Sequence, residues 1–454
     1  MSPCTHKPLL SHLLVLLAVT ALAACNPSTE SGGNSDNGNG DGGGGNGGND
    51  NNGDLVELDY GVGFVLVMDP APNQIALRGY GTGQIPETTR LAVQVLDNDL
   101  NPVAGHDVSF AITDSTGGPE LTRDSATTGS DGSASTILRS GTVQGTTQVE
   151  VSMDLLDSNG NVIEQDVHVA TTQPVSMHTA APVTDGMSLS ADVFNPEGYD
   201  YNGIPVQVTV HLGDIHRNPV ADGTQVNFLA STGLVDPVCT TDNGACTIEW
   251  RSAHPRGDGR VDILARTNGN DAFVDTNGNS RFDLGESYEP QGEPFVDTEG
   301  TGQFDPGDFF WDLSGTGDYT PADPGAHYKG IGCTEDALEH GHCDERAVVF
   351  NNIVLVASGS DLRLDPEPTD VSVSDTVIYQ MVDQNGNVPP AGSDLSINCT
   401  DASATALDSE VPERPGALFG PWPVVINYGD DPGSCTLEVQ SPNGLPQRYT
   451  ISVN

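Results

Sequence analysis

The 454-residue chain carries 64 acidic and 16 basic side chains, a formal net charge of −48 at pH 7. Such a surface repels nucleic-acid phosphates and anionic lipid headgroups, which argues against a nucleic-acid-binding function. It suits a salty environment, where counterions screen the repulsion between carboxylates, although an acidic surface that serves only solubility has the same composition. The length is enough for about three domains.

The N-terminus has the pattern of a bacterial export signal. Lys7 supplies the positive charge, and the mostly apolar segment 9–24 is short for a membrane-spanning helix. The segment ends in the letters LAAC at Cys25, which resemble the lipobox of bacterial lipoproteins. The resemblance implies removal of residues 1–24 and acylation of Cys25, an anchor that needs no spanning helix. The next residue, Asn26, implies the outer membrane; an ordinary cleavage site is the alternative.

A segment without apolar residues follows the signal. Residues 31–54 are almost wholly Gly, Asn, Asp and Ser and bury no apolar surface, which predicts disorder. As a flexible coil, these residues span roughly 25–30 Å on average. We therefore expect 25–54 to be a lipidated linker that lifts the folded part off the membrane.

Short β-strands account for most of the remaining sequence. Leu91, Val93 and Val95 alternate with polar residues before a Pro/Gly turn, and Val108 and Phe110 alternate after it. This predicts a hairpin-like unit with one apolar face. A second copy covers 206–228 and a fainter third covers 377–397, each followed by another turn and strand, and the sequence has no long amphipathic helix. The sequence thus predicts an all-β fold of tandem sandwiches.

The paired pattern Asp … Asn-Pro-Val-x-Gly … Val-x-Phe … Asp-Gly-x-Ala-x-x-x-Leu resembles the bacterial Ig-like group 1 domains of the intimin and invasin family. The match is good for 71–172 and 187–268 and weak for 356–454. In that family these domains are mostly rigid spacers that present a terminal binding domain. The resemblance implies a cell-surface protein, but the lipid anchor and an acidic insertion depart from the family pattern, so its adhesive role transfers only in part. The predicted domains are 55–176, 177–355 and 356–454.

The acidic insertion, at about 270–345, separates two strand-like runs at 263–266 and 347–356. It contains three twelve-residue repeats, each starting with Asp and carrying oxygen-bearing side chains at positions 1, 3, 5, 9 and 12. The residues at these positions are Asp275, Asn277, Asn279, Asp283 and Glu286; Asp297, Glu299, Thr301, Asp305 and Asp308; and Asp312, Ser314, Thr316, Thr320 and Asp323, with Asp318 at position 7 of the third repeat.

Ca²⁺ takes six to eight oxygen ligands, and a tight loop with alternating oxygen donors can supply them. The repeats resemble the calcium loops of EF-hand and dockerin proteins, which implies Ca²⁺ as a cofactor. The sixth position, which is Gly in EF-hand loops, is Gly302 and Gly317 in the last two repeats but Ser280 in the first. The alternative is a flexible acidic loop, because Asp, Asn, Gly and Ser are also common turn residues.

Six cysteines follow Cys25 and fall into three neighbouring pairs, which predicts an oxidising compartment. Sequence alone allows fifteen pairings, and proximity favours Cys239 with Cys246, Cys333 with Cys343, and Cys399 with Cys435. The first pair is expected to close a hairpin. His340 and His342 beside Cys343 leave a zinc site as an alternative.

The sequence contains no nucleophile-elbow, phosphate-loop or zinc-protease motif, so we expect a protein that is not an enzyme. The predicted function is that of an outer-membrane surface lipoprotein with a structural or adhesive role and a host, matrix or polysaccharide ligand. The alternative is a carbohydrate-binding or accessory module that uses the insertion, with Trp311, Phe309 and Phe310 as a stacking platform. The same aromatic residues could instead form the small core of the insertion.

Overall fold

The computed structural model describes residues 54–57, 64–156, 162–323, 325–416 and 419–454, and within these ranges the chain is almost wholly β. The helices there are a 3-10 turn at Thr184–Gly186 and α1 at Glu335–Glu339. The predicted all-β fold of tandem Ig-like sandwiches with an acidic insertion is confirmed. None of the described helices has the length and apolar character needed to cross a membrane. The export signal, Cys25 and the linker to residue 53 lie outside the described residues.

The first sandwich buries the apolar face of two main sheets. Its strands are β1 Asp54–Glu57, β2 Phe64–Ala71, β3 Gln74–Ala76, β4 Thr88–Leu96, β5 Asp107–Ile112, β6 Glu120–Leu121, β7 Ser125–Thr127, β8 Ser133–Arg139, β9 Gly145–Thr147, β10 Val149–Leu156, β11 Val162–Thr171 and β12 Val175–His178. One sheet has the order β1-β2-β4-β8-β6, the other β11-β10-β5-β7, and a small third sheet is β3-β12-β9. Leu91 and Val93 from one main sheet and Val108 and Phe110 from the other share one core.

The second sandwich has two four-stranded sheets. Its strands are β13 Met187–Ala191, β14 Pro205–Leu212, β15 Gln225–Ala230, β16 Leu234–Val235, β17 Val238–Thr240, β18 Ala245–Arg251, β19 Arg260–Gly269 and β22 Ala347–Val356. The sheet orders are β13-β14-β18-β16 and β17-β15-β19-β22. Among the described residues between β19 and β22, the regular elements of the insertion are the short pair β20 Ala272–Phe273 and β21 Tyr288–Glu289, besides α1. Trp250, 1% exposed, lies in the core of this sandwich.

The third sandwich is smaller. Its strands are β23 Arg363–Asp365, β24 Thr376–Val382, β25 Asp394–Thr400, β26 Ala404–Leu407, β27 Trp422–Tyr428, β28 Gly433–Gln440 and β29 Gln447–Val453. They form sheets in the orders β23-β24-β27-β26 and β25-β28-β29. Tyr379 and Met381 from the first sheet pack with Leu437 and Val439 from the second.

The prediction of hairpin-like units is wrong. β4 and β5 flank the first Pro/Gly turn, but they belong to opposite sheets, and the same is true of β14 with β15 and of β24 with β25. Each turn therefore carries the chain across the edge of the sandwich. Both strands of each pair bury one face toward the shared core, so a period of two does not distinguish a crossing from a hairpin.

The three predicted disulfides are present in the structure: Cys239–Cys246, Cys333–Cys343 and Cys399–Cys435. The first does not close a hairpin, because β17 and β18, which carry the two cysteines, lie in opposite sheets. It ties the two sheets together instead. Since Cys343 is bonded to Cys333, its sulfur is not the free thiolate that the zinc alternative requires.

Two buried aspartates connect successive sandwiches. Asp214 follows β14 and accepts hydrogen bonds from the N–H and the hydroxyl of Thr179, at 3.0 and 2.7 Å, in the linker from the first sandwich. Asp383 follows β24 and accepts the N–H of Gly359, at 2.8 Å, in the linker from the second sandwich. Each uses its other oxygen to accept N–H groups of its own turn, as Asp97 does after β4. One carboxylate thus fixes both a turn and a junction.

Candidate metal-binding insertion

The insertion leaves and re-enters the second sandwich at one end of a sheet. β19 and β22 pair antiparallel along their full lengths, from Arg260 opposite Val356 to Gly269 opposite Ala347. This places the insertion between the two strand-like runs from which it was predicted. The adjacent N–H of Asn270 donates to the carbonyl of Pro182 at 2.9 Å, which holds the start of the insertion near the linker from the first sandwich.

The first loop turns tightly around its leading carboxylate. Asp275 accepts backbone N–H groups from Gly278 at 2.8 Å, Asn279 at 3.2 Å and Ser280 at 2.7 Å. The side-chain amides of Asn277 and Asn279 both donate to one oxygen of Asp283, at 2.8 and 2.7 Å. The structure therefore brings together the side chains predicted at positions 3, 5 and 9.

The last predicted residue of this loop, Glu286, closes it. The residue is 7% exposed. One oxygen accepts the N–H of Thr276 at 2.7 Å, and the other accepts the N–H of Asp283 at 3.0 Å. The carboxylate at position 12 thus joins positions 2 and 9, which fixes both sides of the loop.

The second loop repeats these contacts. Asp297 accepts N–H groups from Thr301 and Gly302 at 3.0 and 2.7 Å, and Asp308 accepts them from Thr298 and Asp305 at 3.1 and 2.9 Å. The N–H of Gly302 is the main cause of the lowered pKa of Asp297. The hydroxyl of Thr301 donates to Asp305 at 2.8 Å. Of the predicted residues in this loop, Glu299 lies exposed at the surface.

In the third loop the closing carboxylate is one that the repeat did not predict. Glu293 accepts N–H groups from Leu313 at 2.8 Å, Ser314 at 2.7 Å and Thr320 at 2.9 Å. Burial alone would raise the pKa of Glu293, but these donors outweigh it and lower the net pKa. The predicted closing residue, Asp323, is exposed and accepts the N–H of Gly325 at 2.9 Å.

The remaining predicted residues of the third loop lie around Asp312. That carboxylate accepts N–H groups from Gly315, Thr316 and Gly317, and the hydroxyls of Ser314 and Thr316 lie 2.9 Å apart. The side chain of Asp318 is exposed. Loop spacing could not identify Glu293, because it precedes the second loop while it closes the third.

The chemical types of the ligand atoms indicate which cation these loops fit, because the loops contain no cluster of charged ligands among the described residues. Among the described residues, no group of three or more His, Cys, Asp or Glu side chains is arranged to hold a metal ion. The loops combine carboxylates with amide and hydroxyl oxygens, a set that suits Ca²⁺ and suits softer metals less well. One oxygen of Glu293 accepts two N–H groups and one oxygen of Glu286 accepts the N–H and the hydroxyl of Thr276. Each oxygen of Asp308 accepts one N–H group and has a second lone pair. The residues present therefore fit a hard cation in their chemistry.

The aromatic residues of the insertion pack mainly against one another. Phe282 stacks on Tyr328 with ring centroids 4.2 Å apart, and Phe304 stacks on Tyr319 at 4.1 Å. Trp311 is half-buried, and the guanidinium of Arg266, a residue of β19, lies 4.6 Å from its ring centroid. One face of Trp311 is therefore covered, which supports the small-core interpretation over a carbohydrate-stacking platform.

No protein-family model matches the chain, and no curated protein matches it. Solved structures with some likeness include the D0-D1 domain of intimin, at 21% identity over 44% of this chain and 91% of that one, with a TM-score of 0.20. Invasin, described as a bacterial integrin-binding protein, matches at 12% identity over 83% of this chain, with a TM-score of 0.24, and this chain spans 59% of the invasin structure. The Escherichia coli adhesin FdeC matches at 14% identity over 89% and 99%, with a TM-score of 0.27.

Proposed function

We propose that this chain is a non-enzymatic, lipid-anchored surface protein that displays three Ig-like domains from the outer membrane in a structural or adhesive role. The domains divide at about 176/177 and 355/356, with calcium bound in the insertion of the second. The proposed ligand is a host, matrix or polysaccharide surface. The supporting observation is the arrangement of the three sandwiches in a row.

That arrangement follows from the two ends of β14. Asp214, which binds the linker from the first sandwich, lies just beyond Leu212 at the end of the strand. Tyr201, just before the start of the strand, donates its hydroxyl to the carbonyl of Asn443 in the third sandwich at 2.9 Å. An eight-residue strand separates its ends by roughly 25 Å. The neighbours of the second sandwich therefore attach at opposite ends, as a display rod requires.

The second junction contains further buried polar contacts. Glu197, 6% exposed, accepts the hydroxyl of Ser441 at 2.8 Å and the side-chain amide of Asn443 at 2.6 Å. The side-chain amide of Asn195, a residue with no exposed surface, donates to the carbonyl of Pro389 at 2.8 Å. Such contacts are costly to break, because they leave buried polar groups without partners. They support a stiff junction.

In the insertion, the side chains that would hold Ca²⁺ are Asp275, Asn277, Asn279 and Asp283 in the first loop and Asp297, Thr301 and Asp305 in the second. Glu286, Asp308 and Glu293 would close the three loops. When bound, Ca²⁺ would neutralise the nearby carboxylates and hold the loop oxygens in one arrangement. A hundredfold excess over Kd would stabilise the fold by about 2.7 kcal/mol per site.

The anchor and the display role are tested in bacterial cells that express the full chain. We expect the chain to incorporate labelled fatty acid, and added protease to cleave it on intact cells. Cys25→Ser is the control and is expected to lose the label. Glycan and matrix-protein arrays, probed with the full chain, then test the adhesive role. An unlabelled chain would contradict the anchor, protection from protease would contradict surface display, and arrays without binding would contradict the adhesive role.

A further inference from the structure

One residue of the insertion connects the first two sandwiches. Ser280, 1% exposed, donates its backbone N–H to Asp275 at 2.7 Å, within the first loop. Its hydroxyl lies 2.9 Å from the imidazole Nε2 of His216, in the turn after β14. Its carbonyl accepts the hydroxyl of Tyr80, which belongs to the core of the first sandwich. Three parts of the protein thus meet at a single serine.

The surroundings of Ser280 are closely packed against the first sandwich. Tyr80 is 1% exposed, and its ring lies where a side chain on Gly332 would have to be. The guanidinium of Arg281 occupies the space beside Gly79 in the same way. Ile331 packs against the core of the first sandwich. Residues just before Cys333 and in the first loop therefore contact this sandwich, so the hydroxyl of Tyr80 is not an isolated contact.

The connection continues through the junction aspartate. His216 donates its N–H to Asp214 at 2.9 Å, and Asp214 accepts both hydrogen bonds from Thr179 in the linker. The path from Thr179 through Asp214, His216 and Ser280 to Tyr80 starts next to the first sandwich and returns to it. Exposed hydrogen bonds of Gln84 to the carbonyl of Gly223 and of Asn218 to Gln144 also join the two sandwiches. Tyr80 adds a buried attachment outside the linker, which further limits rotation between them.

We propose that the insertion is an interdomain latch, in which Ser280, held by Tyr80 and His216, sets the orientation of the first sandwich on the second. The latch consists of protein contacts and does not itself require a metal. Its regulation rests on the proposed function: Asp275 holds the N–H of Ser280, so a cation bound by Asp275 would tighten the latch and its removal would loosen it. This explains why the sixth position of the first loop is Ser280 and not glycine, because glycine has no hydroxyl to pair with His216.

The test measures the distance between the two sandwiches. In the full chain, the exposed strand residues Ser109 and Thr247 are each replaced by cysteine, and a nitroxide label is attached to each new cysteine. Cys4 and Cys25 are changed to Ser so that they are not labelled. Double electron–electron resonance then gives the distance distribution with Ca²⁺ and with a chelator. Y80F removes the hydroxyl that donates to the carbonyl of Ser280. S280G removes the hydroxyl that pairs with His216, and glycine tolerates the φ of +59° at this position.

We expect Y80F and S280G each to at least double the width of the distribution in Ca²⁺, and the chelator to do the same in the unsubstituted chain. Y201F, which removes a phenol hydroxyl at the other junction, is the matched control and should leave the width unchanged. Melting curves verify that each variant is folded, and calorimetric titration with Ca²⁺ counts the sites.

The possible results separate the two proposals. Unchanged widths in both Y80F and S280G would overturn the latch, whatever the metal result. Absence of calcium binding, with widths doubled by the two variants, would refute the proposed calcium loops and leave the latch supported. If the chain binds calcium but the chelator does not change the width of the distance distribution, the metal control of the latch is overturned. The calcium loops and the latch itself would then still stand.

Discussion

The carboxylate of Glu293 accepts the backbone N–H of Thr320 at 2.9 Å, although 27 positions separate the two residues. The same carboxylate accepts the N–H groups of Leu313 and Ser314, so it binds both sides of the third loop. The second loop, from Asp297 to Asp308, lies in the intervening chain. The two loops therefore form one structural unit, and a change in one is expected to affect the other.

Replacement of Glu293 tests that unit. E293A leaves three N–H groups without an acceptor, and we expect it to lower the free energy of unfolding by about 1–3 kcal/mol. It should also reduce the number of Ca²⁺ ions bound by at least one. D323N is the matched control, because the side chain of Asp323 is exposed outside the loop contacts. Chemical denaturation and calorimetric titration are the measurements; equal effects of the two variants would contradict the assignment of Glu293.

Removal of calcium should destabilise the insertion. Each site filled at a hundredfold excess over Kd adds about 2.7 kcal/mol to the folded state, so a chelator is expected to lower the melting temperature. The segment 270–330 should then become the first site of proteolysis, because it has little regular secondary structure of its own. Excess Mg²⁺ serves as the control cation. A melting curve and a cleavage pattern that do not respond to the chelator would exclude calcium from the fold.

The free energy of unfolding should change with pH because Asp271 titrates. This side chain is 1% exposed, and burial raises its pKa from 3.8 to about 6, against the opposing effect of the N–H of Lys329. The folded state therefore holds the proton more tightly than the unfolded state. The stability that this group contributes is present below about pH 4 and is lost as the pH rises to about 6.

The variant D271N isolates this effect, because the asparagine side chain cannot ionise and has nearly the same shape as that of aspartate. We expect it to match the unsubstituted chain near pH 3.5 and to be more stable by up to about 3 kcal/mol above pH 6. Denaturation of both chains across this pH range measures the difference. A difference that does not grow between pH 4 and 6 would show that Asp271 is not the buried titrating group.

The three disulfides should differ in their contribution according to the loop that each closes. Cys399–Cys435 closes a separation of 36 residues, Cys333–Cys343 one of 10 and Cys239–Cys246 one of 7. The chain-entropy model gives about 4 kcal/mol for the longest and roughly 2.5 kcal/mol for the shortest. Paired Cys→Ala variants, compared by chemical denaturation, should follow this order. Peptide mapping by mass spectrometry checks the three pairings first.

Local patterns in the sequence predicted the features that local contacts produce. A period of two in the apolar residues indicated the strands, and the repeated Asp positions identified loops whose leading carboxylates accept N–H groups three to five residues away. Neighbouring cysteines gave the disulfide pairing. The position of the insertion followed from the two apolar runs that became β19 and β22. In the loops the hydrogen-bonded partners lie close in the chain, and β19 and β22 were recognised separately by their apolar runs rather than by their pairing.

The tertiary structure alone decided the rest. Strands on either side of a Pro/Gly turn went to opposite sheets, which alternation does not reveal because both arrangements bury one face of each strand. Glu293 closes a loop that begins 19 residues after it, and Tyr80 meets Ser280 across 200 positions. Such hydrogen bonds depend on how folded units are placed against one another. Residue spacing carries no information about that placement, because it is fixed by packing between distant parts of the chain.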